Sequence, residues 1–145
     1  MFRDVYAYAA ANGLRLTAHA GEIAGPESIW GALNLPAERI GHGLTAGHDP
    51  ELVEELATRQ IPVEICITSN LRTGAVASLA DHPVRQLFDA GVPIILNTDD
   101  PALFGCTLES EYDLAARVFG FTPDELAALA ANSLRYAFSA PDSGA

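Results

Sequence analysis

"VPIILNTDDP", Val92–Pro101, is the stretch on which the fold turns. Its apolar half has no polar alternation, the pattern of a strand buried on both faces in a helix-covered parallel sheet. Charge then arrives abruptly, as Asp99 and Asp100, in front of a proline. A second run, "IPVEICITSN" (Ile61–Asn70), reads as another nearly continuous apolar strand, and "LRLTAHA" (Leu14–Ala20) and "ERIGHGL" (Glu38–Leu44) as two more.

Helical patterns separate these runs. Phe2–Ala11 reads as the end of a helix closed by Asn12 and Gly13. Pro26 opens "PESIWGALNL", with Ile29, Trp30 and Leu33 on one face, a spacing that reads as core packing. Asp49 before Pro50 is an N-cap followed by proline at the first helical position. "DHPVRQLFDAG" (Asp81–Gly91), "LESEYDLAARVFG" (Leu108–Gly120) and a last helix capped by Thr122 and Pro123 complete the series, and "SAPDSGA" is expected to fray. Strand and helix alternating four times imply α/β architecture with a parallel sheet. Four βα units are half of a TIM-type (β/α)8 barrel, or a small doubly wound sheet.

The polar residues decide between those two. His19 and Glu22, His42, Ser69 and Asn70, and Asp99 and Asp100 all lie just past the carboxyl ends of predicted strands. In a barrel those ends share one mouth, where catalytic groups collect. The expected fold is therefore about four parallel βα units of a barrel plus a terminal helix, one domain over residues 1–145.

Bulk properties narrow the function. The chain has 145 residues, a hydrophobic fraction of 49% and a net charge of −11 with only 8 lysines and arginines. That balance is globular and argues against nucleic-acid binding. No apolar run approaches the roughly 20 residues of a bilayer span, and residues 1–11 do not read as a signal peptide. Cys66 and Cys106 suit neither a disulfide framework nor a structural zinc motif; they read as reduced thiols of a cytoplasmic protein.

Individually, each polar residue has an ordinary explanation. His19 could be a core histidine, Glu22 a helix start, and Asp99-Asp100 an N-cap pair. Together, a histidine and an aspartate at strand ends supply nitrogen and oxygen ligands suited to zinc. Gly41 and Gly43 flank His42 with no side chains, leaving its imidazole free to approach a ligand. His48 and His82 read as structural or surface residues, and Glu64, mid-strand, calls for a backbone or cationic partner.

"HAGE" (His19–Glu22), "RIGHG" (Arg39–Gly43), "EIC-TSN" (Glu64–Asn70) and "LNTDDPALFG" (Leu96–Gly105) together resemble the adenosine deaminase family of amidohydrolase-type metal barrels. "ESIWGAL" and "HPVRQLFDAGVPI" between them resemble it too. The resemblance implies zinc-dependent hydrolytic removal of the 6-amino group of adenosine or a related aminopurine nucleoside. His19 and Asp99 are then zinc ligands, and Glu22 donates a proton to the purine ring. His42 orients or deprotonates the attacking water. Asp100 holds the imidazole-ring nitrogen of the substrate, and Gly21 allows close backbone approach.

The family's His-x-His pair is absent from this sequence, and Ile67 stands where many relatives carry proline. His19 and Asp99 are two of the three protein ligands a catalytic zinc ordinarily has. The chain thus resembles the carboxyl-terminal half of such an enzyme, with two further histidines expected from the other half. Alone it is expected to be inactive and marginal, or to assemble with a complementing half barrel or a copy of itself through exposed strand edges. Adenine and aminodeoxyfutalosine are alternative substrates, although Gly41, before His42, favours the nucleoside-acting branch. A different hydrolysis in the same barrel, or a non-catalytic half barrel serving as an interaction module, are the readings of other kinds.

Overall fold

Four short strands, β1 (Thr17–Ala20), β2 (Arg39–His42), β3 (Val63–Ile65) and β4 (Ile94–Leu96), form one parallel sheet in the order β1-β2-β3-β4 in a computed structural model that describes residues 2–138. The tail from Ser139 lies outside the described residues, as does its expected fraying. Every neighbour in the sheet is the next strand in sequence, and every pairing is parallel. Each link is therefore a crossover, which the hydrogen-bond geometry of parallel strands requires. β1 and β4 each keep one edge without a partner among the described residues.

The helices are α1 (Phe2–Ala11), α2 (Pro26–Leu33), α3 (Pro50–Arg59), α4 (Ile67–Arg72), α5 (Val84–Asp89), α6 (Pro101–Phe104), α7 (Leu108–Phe119) and α8 (Pro123–Arg135). Their starts follow local chemistry. The Asp49 carboxylate accepts from the Glu51 and Leu52 amides, each at 3.1 Å, ahead of Pro50. Thr107 with Ser110, and Thr122 with Glu125, form reciprocal capping boxes that satisfy two orphan donors at each helix start.

Val63, Ile65, Ile94 and Leu96 are buried in the sheet, against Ile29, Leu52, Leu56, Leu87 and Leu129 from the helices. Fully burying a side chain of this size contributes about 1.5–3 kcal/mol. The last helix is pinned as well: the Asn132 amide donates to the Ile94 carbonyl at 3.0 Å. Arg85 binds both carboxylate oxygens of Glu125, at 3.0 and 2.9 Å, tying α5 to α8.

One expectation is corrected. The run Ile61–Asn70 is strand only over Val63–Ile65, and from Ile67 the chain turns into α4. Its apolar continuity arises because the first turn of α4 is buried as deeply as the strand, with Ile67, Ser69 and Asn70 all inaccessible. β4 stops at Leu96, and beyond it Asp99 sits in a bend and Asp100 caps α6.

Candidate active site

Parallel register sets the first two groups. His19 pairs with Gly41, and Ala20 with His42, so the two histidines leave neighbouring strands at adjacent levels. A Cβ at Gly41 would come within 3.3 Å of the His19 ring, so the glycine gives the imidazole its place. The two rings lie 5.0 Å apart between centroids.

His42 and Asp99 share a backbone signature, φ of +66° and +59°, in the left-handed region that residues other than glycine rarely occupy. Such strain persists only where the surroundings hold it, and it gathers at functional sites. For Asp99 one such hold is Ser69, whose hydroxyl donates to Oδ2 at 2.7 Å. For His42 it is Asn70, whose amide lies 2.9 Å from Nδ1.

His19, His42 and Asp99 line one cavity of about 190 Å³, together with Gly41, Glu64, Cys66, Asn97 and Thr98. Glu22, half-buried beyond β1, stands with Oε2 3.6 Å from His42 Nε2. Burial holds the His42 imidazole below its ordinary pKa, opposed by the Glu22 carboxylate and reinforced by His19. Burial also pushes the Cys66 thiol up to about 12, so it lines the cavity as a neutral group.

The other candidates lie nearby. Asp100 commits Oδ1 to the Leu103 amide at 3.0 Å as the cap of α6. Gly21 has φ +69°, and a Cβ there would meet Ile29 Cδ1 at 2.4 Å and Thr45 Oγ1 at 2.9 Å; its amide donates to Ser28 Oγ at 2.8 Å. Glu64 finds its cation in Arg39, 3.4 Å away. Trp30 is packed partly against the core, its indole N–H on Asp49 Oδ2 at 2.9 Å. His48 is exposed and His82 is buried beside Phe119.

Sequence reasoning placed Ser69 and Asn70 at the rim without finding their partners, and missed Glu111. That carboxylate is fully buried, accepts from the Thr68 amide at 3.1 Å and from the Thr68 hydroxyl, and so holds the first turn of α4. The polar triplet "TSN" was the available signal for the first two. Glu111 has none, being one acid among several on an amphipathic helix.

His19 and Asp99 match zinc in kind, one imidazole and one carboxylate. They fall short in number: among the described residues no three histidine, cysteine or acidic side chains are grouped closely enough to hold a metal ion. No described helix is long and apolar enough to cross a membrane.

The model of the family described as adenosine deaminase matches residues 1–144. The chain belongs to the adenosine deaminase family. It is 52% identical over 127 residues to an adenosine deaminase of Serratia proteamaculans, covering 87% of this chain and 38% of that protein. It is 46% identical over 138 residues to an aminodeoxyfutalosine deaminase of Streptomyces coelicolor, covering 94% and 36%. Among solved structures, an adenine deaminase from Arthrobacter aurescens superimposes with TM-score 0.91 at 39% identity, over 96% of this chain and 43% of that one. A zinc-bound amidohydrolase from Burkholderia ambifaria does so with TM-score 0.89 at 33% identity, over 98% and 40%. The family chain thus carries a partial barrel of deaminase type, spanning about two-fifths of the length of these relatives.

Proposed function

We propose that this chain carries the carboxyl-terminal part of a zinc-dependent active site that hydrolytically deaminates the 6-amino group of adenosine or a related aminopurine nucleoside. The observation that carries the reading is the convergence of His19, His42 and Asp99 on one cavity, with Glu22 beside His42, in a member of the adenosine deaminase family.

In this reading His19 and Asp99 hold the metal, joined by two histidines that the remainder of a complete barrel supplies. A bound zinc ion lowers the pKa of water toward neutrality, making a nucleophile available at physiological pH. The protein's own residues do the rest. His42, fixed by Asn70, orients the attacking water toward the amino-bearing carbon. Glu22 protonates the adjacent ring nitrogen, so that charge does not build on the ring as the carbon–oxygen bond forms. The proton given up by the attacking water passes to the exocyclic amine, the carbon–nitrogen bond breaks, ammonia leaves, and the ring nitrogen keeps its proton in the 6-oxo product. Asp100, with one oxygen committed to its helix cap, turns the other toward the imidazole ring of the purine. Gly21 keeps the backbone beside Glu22 close to the ligand. The chain by itself supplies two metal ligands and is therefore inactive alone.

Ammonia release from adenosine, adenine and aminodeoxyfutalosine, assayed with the complete barrel, is the test. Turnover of adenosine with the highest kcat/KM is expected. A zinc-loaded protein that deaminates none of the three would end the reading, and preference for either of the others would correct the substrate.

A further inference from the structure

Behind His42 lies a polar chain that the deaminase reading leaves unused. Asn70 Nδ2 is 2.9 Å from His42 Nδ1, and Asn70 Oδ1 is 3.4 Å from His82 Nε2. The Val84 amide, at 3.2 Å, donates to His82 Nδ1. All three side chains are buried: His42 is 3% exposed, Asn70 0% and His82 5%. Buried polar groups of this kind are in general fully hydrogen-bonded, and a network with one fixed end has one consistent set of proton positions.

The fixed end here is a backbone N–H, which can only donate. His82 Nδ1 must therefore accept, and a neutral His82 carries its proton on Nε2. Burial among apolar neighbours keeps that ring neutral, its pKa pushed down to about 4. Nε2–H then requires an acceptor, which among the described residues the carbonyl oxygen of Asn70 supplies. Turning the amide over would set its NH2 against a nitrogen that already bears hydrogen. The Asn70 NH2 is thereby directed at His42, whose Nδ1 must accept in turn.

We infer that Asn70 and His82 are positioning residues that fix the tautomer of His42, leaving its proton on Nε2. The buried proton pattern of α5 is transmitted through α4 to the mouth of the sheet. His42 therefore presents an N–H, rather than a lone pair, on the side where Glu22 Oε2 stands 3.6 Å away. Its relevance to turnover rests on the deaminase reading, but the proton position does not.

Long-range proton–nitrogen correlation spectra of the full chain with 15N-labelled histidine, at neutral pH, read the tautomers directly. The expected result is that both His42 and His82 show an unprotonated Nδ1 and a protonated Nε2. In Asn70→Asp the carboxylate accepts from both rings, so the proton of His42 is expected to move to Nδ1 while His82 is unchanged. In His82→Phe the amide is released, and His42 is expected to show both tautomers. A purely structural role for Asn70 would shift resonances without moving the proton. An Nδ1–H tautomer at His42 in the unsubstituted protein, or no change in Asn70→Asp, overturns the relay. Nε2–H at His42, together with a zinc-loaded complete barrel that releases no ammonia from any aminopurine, upholds the relay and defeats the deaminase reading alone.

Discussion

The Ser69 hydroxyl donates to Asp99 Oδ2 across 2.7 Å, joining the first turn of α4 to the bend that follows β4. One carboxylate oxygen is thereby oriented and the other left for a ligand, the arrangement by which residues behind a metal ligand set its direction. If Asp99 is a ligand, Ser69→Ala is expected to weaken zinc binding by about 10–100-fold, and Asp99→Ala by more. Competition with a chromophoric chelator, on the complete site, measures both. Unchanged affinity in Asp99→Ala would remove it from the ligand set.

Glu22 is expected to act on the substrate and not on the metal. Replacing it with Gln keeps the shape and removes the acid, so kcat should fall by roughly 10²–10⁴ while bound zinc stays constant. Metal content and steady-state kinetics on one preparation check the pair of outcomes. Loss of zinc in Glu22→Gln would place the residue in a different role.

Glu111 holds α4 by its N-terminal turn, where Thr68 gives it two donors. Removing the acceptor in Glu111→Ala leaves both donors partly buried and unpaired, at a cost of about 2 kcal/mol in urea unfolding. Glu111→Gln keeps one carbonyl acceptor and is expected to lose less. Because α4 also carries Ser69 and Asn70, the alanine variant should weaken metal binding as well as stability.

His82 makes stability depend on pH. Its folded-state pKa is lowered by burial to about 4, from the ordinary imidazole value of 6.5. Between those values the unfolded chain binds the proton and the folded chain does not, so stability rises with pH through this window. Its full contribution is present above about 6.5 and is lost as pH falls toward 4, a change of about 3 kcal/mol at most. Urea titrations at pH 7 and pH 5 should show the decline in the unsubstituted protein, and His82→Phe should flatten it.

Much of the site was legible because strand ends announce themselves. Buried parallel strands leave no polar alternation, so the first charged residues after each run mark the open end of the sheet. His19, Glu22, His42, Asp99 and Asp100 were picked out as candidates in this way, and family motifs added Gly21. Strand length was harder to see. The buried turn of α4 has the same apolar composition as β3 before it, and no local rule separates a strand from a helix buried all round.

What the amino-acid order determined by itself was the alternation of buried strands and capped helices, and the residue types that meet at the strand ends. Hydrophobic burial and helix capping are short-range in sequence, so their signals lie within a few residues. Partnership was decided only in the tertiary structure: Ser69 with Asp99 from 30 positions away, Asn70 with His42 from 28, and Thr68 with Glu111 from 43. The first two pairs meet because the parallel crossovers bring the same end of every strand to one rim, and the third because α7 packs against α4. A hydrogen bond made across that rim depends on backbone placement to within a fraction of an ångström, which composition and spacing do not encode.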